Sequence, residues 1–182
     1  MLRIVVPAAE LFDERNQQFI ETKDTTLKLE HSLLSISKWE SKWCKPFLLN
    51  DKDTRHTPEE MLDYIKCMTL TSNIPNDVYQ ALSIENIKSI NDYINAPMTA
   101  TKIFYNGPTK PNTEISTSEV IYYWMVIYNI PFECEKWHLN RLLTLIRVCS
   151  VKNNPQKMNR ADLLAHNRAL NKARRKKLHT KG

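Results

Sequence analysis

The 182-residue chain is 42% hydrophobic and 25% charged, the balance of one globular domain of ordinary size with room for an appendage. Its two glycines, Gly107 and Gly182, are too few for a fold built on phosphate-cradling loops or many tight hairpins. This points away from nucleotide-binding α/β enzymes and towards helices joined by proline-containing loops. The net charge of +6 is unevenly placed: residues 157–182 carry nine Lys or Arg against one acid, Asp162, a balance of +8 that leaves −2 for residues 1–156.

A slightly acidic body with a strongly basic arm is therefore expected. No apolar run reaches the roughly 18 residues that span a bilayer, and MLRIVVP is too short an apolar stretch for a signal peptide. Cys44, Cys67, Cys134 and Cys149 have no pairing spacing and read as free thiols in a reducing cytoplasm.

LRIVV at 2–6 is a strand candidate ended by Pro7. QQFIETK followed by DTTLKLEH reads as a hairpin turning near Lys23 and Asp24, with Leu27, Leu29 and His31 alternating with Lys28 and Glu30. From Ser37 the spacing becomes helical: Trp39 and Trp43 share one face, and Lys38, Glu40 and Lys42 are expected to turn away. Pro46 ends that segment.

Thr57-Pro58-Glu59-Glu60 starts a helix, with a capping hydroxyl, a proline at the first position and acids at the positive end. Met61, Leu62, Ile65 and Met68 form its apolar stripe. A further helix begins near Pro75-Asn76 and runs through Val78 and Leu82. Ser83 caps another that carries Ile84, Ile87, Ile90 and Ile94 and stops before Pro97. Residues 98–117 form the longest turn-rich loop. Ser116 or Ser118 then caps a helix over 120–128, apolar almost all round and so expected to be buried. Pro131 breaks it, and 132–151 reads as one helix with Leu139, Leu142, Leu143, Ile146 and Cys149 on one side and His138, Arg141, Thr144 and Arg147 elsewhere. After Asn153-Asn154-Pro155, Asn159 caps a last helix whose apolar content (Leu163, Leu164, Ala169, Leu170) is too thin to hold it on a core, so it is expected to project or to dock on a partner.

The fold class expected is α+β, mainly α: a β-rich segment with a Trp-containing turn of helix at 1–50, a helical body at 51–153 and a basic arm at 154–182. Trp39, Trp43, Trp124 and Trp137 are expected to organise the core.

No catalytic constellation stands out. Cys134 and His138 lie four apart, but no second ligand pair exists, and a structural zinc takes about four protein ligands. A semi-buried thiol and a helix-surface imidazole are expected instead. There is no nucleophile elbow and no phosphate-binding lysine motif. Glu59 and Glu60 complement a helix dipole. No enzyme activity, cofactor or metal is expected.

NRALNKARRKKLHTKG at 167–182 is the one segment biased towards a partner. Its contact residues would be Arg168, Lys172, Arg174, Arg175, Lys176 and Lys177. A protein surface is the first reading of what they meet. A backbone-driven, non-specific nucleic-acid contact is the second, since the segment has no aromatic residue for base stacking, and a solvated tail is the third.

Three stretches, LEHSLLSISKWESKWCKPFL (30–49), EVIYYWMVIYNIPFECEKWHLNRLLTLIRVC (119–149) and NRALNKARRKKLHTKG (167–182), together resemble a family of small bacteriophage proteins among the virion-assembly genes, the tail assembly chaperones. The resemblance implies a protein that coats the long apolar tape-measure protein in the bacterial host cytoplasm, needs no catalytic residue and uses apolar grooves such as the aromatic-rich 119–137 region could supply. Homo-oligomers and an N-terminal hairpin are compatible with it. The alternative is a structural virion component, at capsid, connector or tail, with the basic arm between subunits or on DNA. A small nucleic-acid-binding regulator ranks last, because no helix with base-reading polar residues stands out.

Overall fold

The computed structural model describes residues 1–13, 17–48, 56–102, 116–153 and 160–178. The expected turn-rich loop falls largely, and the Asn154-Pro155 break and Asn159 cap wholly, outside them. The chain forms two compact units, Met1–Val148 and Cys149–Gly182. The architecture is α+β and mainly α.

In the first unit β1 (Leu2–Val6) pairs antiparallel with β4 (Thr25–Leu29), matching Leu2 to Leu29 and Ile4 to Leu27. Alternation decides the faces: Ile4, Val6, Leu27 and Leu29 are buried while Arg3, Val5 and Lys28 face out. β2 (Glu10–Asp13) pairs with β3 (Gln18–Glu21), bringing the exposed Phe12 and Phe19 rings to 5.1 Å. The expected turn at Lys23-Asp24 is therefore corrected. Residues 22–24 lie between the two paired stretches, beside Ala8 and Ala9, and β3 pairs with β2 and not with β4. Pro7 lacks a donor for a regular ladder. In its place Thr22 Oγ1 accepts the Ala9 N–H at 2.9 Å and Asp24 Oδ1 accepts the Ala8 N–H at 2.7 Å. The other edge of β4 is also occupied, since Leu70 N–H donates to Lys28 O at 2.8 Å and Glu30 N–H to Met68 O at 2.9 Å.

α1 (Leu33–Trp43) starts four residues earlier than its spacing suggested, because Ser32 and Ser35 form a reciprocal cap. It ends at Cys44, which takes φ 51°. The expectation that Glu40 turns away is overturned. Ile36, Trp39, Glu40 and Trp43 share one helical face, and Glu40 is buried.

α2 (Pro58–Met68) has the expected cap: Thr57 Oγ1 accepts the Glu60 N–H at 3.2 Å and Glu60 Oε2 accepts the Thr57 N–H at 2.9 Å. Tyr64, Ile65 and Met68 face the core against α1. A short α3 (Asn76–Gln80) precedes α4 (Ile84–Asn95), capped by Ser83 as expected. Of the α4 isoleucines only Ile90 is buried, and Ile84 is 84% exposed. The helix rests on β1, where Asn86 Nδ2 donates to Val5 O at 3.1 Å.

α5 (Ser118–Ile127) is not buried all round. Ile121 and Met125 are enclosed, while Tyr123, Val126 and Ile127 are exposed. The expected continuous helix at 132–151 is two elements, a 3₁₀ turn at Phe132–Lys136 and α6 (Leu139–Asn153). The interruption has a clear cause. Leu139 N–H donates to His31 O at 2.7 Å and His138 forms a bridge with Ser32, which draws residues 138 and 139 towards the end of β4.

In the second unit, α7 (Arg160–Leu178) carries most of the basic arm. Leu164, Ala169 and Leu170 are exposed there, and the Leu163 side chain lies outside the described residues.

Candidate functional site

Four places carry side chains that chemistry could use. The first is a buried polar network at the junction of β4, α1, α2 and α6. His31 Nδ1 lies 2.5 Å from Tyr64 Oη, and Tyr64 Oη lies 3.4 Å from Ser35 Oγ. Ser35 Oγ donates its proton to Ser32 O at 2.7 Å. The single Tyr64 hydroxyl thus joins His31 and Ser35 in one buried chain of hydrogen bonds. His138 stands edge-on to His31, ring centres 5.1 Å apart. Its Nδ1 accepts the Asn140 N–H at 3.3 Å, which leaves Nε2–H to donate to Tyr93 O at 3.0 Å. Burial, reinforced by His138, pushes the His31 pKa down to about 3. Burial raises the Tyr64 phenol above its ordinary value. The expected helix-surface imidazole at 138 is thus a buried one with both ring nitrogens engaged.

The second is the interface of α1 and α2. Trp39 Nε1 donates to Glu60 O at 2.9 Å and Trp43 Nε1 to Asp63 Oδ2 at 2.9 Å, with the two indoles stacked at 6.1 Å. The Lys45 ammonium, 2.7 Å from Glu60 Oε1, and then the Thr57 N–H hold the Glu60 carboxyl below its usual value. Burial works to raise Asp63, but hydrogen bonds from Lys42 and Trp43 outweigh it and its pKa is lowered. Among the described residues no buried side-chain donor or acceptor here lacks a partner.

The third place is the exposed side of α5. The fourth is α7, where Arg168, Lys172, Arg174, Arg175 and Lys177 are all exposed; the Lys176 side chain lies outside the described residues.

Of the four tryptophans expected in the core, Trp39 alone is fully enclosed. Trp43, Trp124 and Trp137 are half-buried, and Trp137 carries the Arg141 guanidinium 4.1 Å above its ring. The four cysteines are free thiols. Cys134 is buried, which pushes its thiol up. Among the described residues no three His, Cys, Asp or Glu side chains converge on a point that could hold a metal. No helix among them is long and apolar enough to cross a membrane.

Sequence reasoning missed the buried Glu40 and the His31–His138 contact. The i, i+4 placement of Glu40 after Ile36 was the available signal for the first. The second joins residues over a hundred apart and leaves no local trace. Comparison with protein-family models, with curated proteins and with solved structures finds no match.

Proposed function

We propose that this chain is a bacteriophage tail assembly chaperone that binds the tape-measure protein through the outer side of α5. The observation that carries the reading is that Tyr123, Val126 and Ile127, at i, i+3, i+4, are 61%, 58% and 51% exposed, with Phe132 beyond them 56% exposed. The opposite side of the same helix, Ile121 and Met125, is fully enclosed. An exposed aromatic and aliphatic stripe on a firmly seated helix supplies the rigid anchors that protein interfaces use. A long apolar client offers matching surface at many points along its length.

The resemblance of 30–49, 119–149 and 167–182 to tail assembly chaperones supports this choice of client. The basic arm favours a second reading, a virion subunit whose arm lies between neighbours or on DNA. Co-expression with the tape-measure protein separates them. For a chaperone, the client stays in the supernatant with this chain bound. Val126→Asp with Ile127→Asp abolishes that while circular dichroism stays unchanged. Quantitative mass spectrometry of purified particles should find the chain absent. Its presence at a whole-number ratio to the major capsid or tube protein sinks the chaperone reading.

A further inference from the structure

α7 holds seven Lys or Arg and one acid, Asp162, near its start. No acid stands three or four residues from Arg168, Lys172, Arg174, Arg175 or Lys177, so pairing along the helix cannot neutralise any of them. All five are exposed.

Their placement around the helix is the informative part. At roughly 100° per residue, Arg168, Lys172 and Arg175 (i, i+4, i+7) share one side, and Arg174 and Lys177 (i, i+3) share a side nearly opposite. A flat acidic protein surface would use one of these sides and leave the other in solvent. A groove with anions on both walls would use both. The major groove of duplex DNA is about 12 Å wide, admits an α-helix about 10–12 Å across, and has a phosphate backbone along each wall.

We infer that α7 is a binding element for double-stranded DNA, lying in the major groove with Arg168, Lys172 and Arg175 on one phosphate backbone and Arg174 and Lys177 on the other. The sequence from 160 to 178 has no aromatic residue, so the base stacking that single strands require is missing. Between the two cationic sides stand Asn167 and Asn171 beside the exposed Leu164. Two amides can meet at most two bases while five cations meet phosphate, so phosphate contacts carry most of the affinity and most of the binding is independent of sequence. A-form RNA, whose major groove is deep and narrow, does not admit the helix. This activity is separate from client binding, which uses a different element, α5.

The test is fluorescence anisotropy of the full chain with a labelled mixed-sequence DNA duplex of about 20 base pairs, titrated between ~50 and ~200 mM salt. Five phosphate contacts give a log–log salt slope of about −4.5. The triple variant Arg168→Gln, Lys172→Gln, Arg175→Gln should weaken binding at least tenfold and bring the slope to about −2, with helicity by circular dichroism retained. Val126→Asp with Ile127→Asp should leave duplex binding unchanged, so loss of client binding and loss of DNA binding are told apart. Absence of duplex binding at the lowest salt overturns the assignment. So does a slope unchanged in the triple variant, or tighter binding to polyglutamate, to single-stranded DNA or to RNA duplex.

Discussion

Glu40 and Ser118 are 78 residues apart in sequence, yet Glu40 Oε2 accepts the Ser118 N–H at 2.7 Å, at the first residue of α5. The residue before that helix, Thr117, makes no side-chain cap. A carboxylate from α1 takes over the capping and complements the positive end of α5. The other oxygen of Glu40 accepts the Phe47 N–H at 2.8 Å. One buried side chain thus ties the end of α1, the segment after it and the start of the helix that bears the exposed stripe.

Glu40→Leu should leave two N–H groups without acceptors and destabilise the fold by about 3 kcal/mol. Glu40→Gln keeps one acceptor and should lose roughly half as much. Urea denaturation of the two variants checks the ranking. Equal stability of the wild type and Glu40→Leu would show that α5 is held by packing alone.

His31 is neutral in the fold, with its pKa pushed from 6.5 to about 3, so the unfolded chain binds the proton first as the pH falls. Stability should therefore decline below pH 6.5, by up to about 1.4 kcal/mol per pH unit, until about pH 3. Glu60 and Asp63 have lowered pKa values, so their contributions are present above 4.5 and 3.8 and fade only below them. The interval between pH 4.5 and 6.5 therefore separates His31 from these two carboxylates. Stability, measured by denaturation curves, should fall across it for the wild type and fall less for His31→Asn, whose amide can still hydrogen-bond to Tyr64 as donor or acceptor.

The tryptophans should differ sharply. Trp39 is fully enclosed and hydrogen-bonded to Glu60 O at 2.9 Å, so Trp39→Ala should lose about 3–5 kcal/mol. Trp137 is half-buried with Arg141 over its ring, and Trp137→Ala should lose about 1 kcal/mol. Thermal melts of the two variants rank them, and similar losses would contradict the burial pattern.

Thiol labelling should be uneven. Cys44 is exposed at the end of α1, whereas Cys134 is buried with its thiol pushed up. Brief treatment of the native protein with a thiol reagent, followed by peptide mapping, should find Cys44 modified and Cys134 protected until denaturant is added.

Local rules in the sequence reach far into this fold. Ser83 and the Thr57-Pro58-Glu59-Glu60 start are legible because a cap is a contact between residues three apart, and β4 is legible because its two-residue alternation matches a single buried side. The cationic arm is legible because charge needs no partner to be counted.

The sequence by itself determined the starts of α2 and α4 and the faces of β4, each of which depends on residues a few positions apart, together with the charge division between body and arm. Tertiary structure alone decided the partner of β4, the break before α6, the burial of Glu40 and His138, and which side of α5 stays exposed. Those outcomes turn on contacts between distant segments. Glu40 is buried because the Phe47 and Ser118 N–H groups meet its carboxylate, and His138 leaves the helix because His31 O accepts from Leu139. An apolar run such as 120–128 records that a helix can be buried, and only the elements packed against it choose which side is.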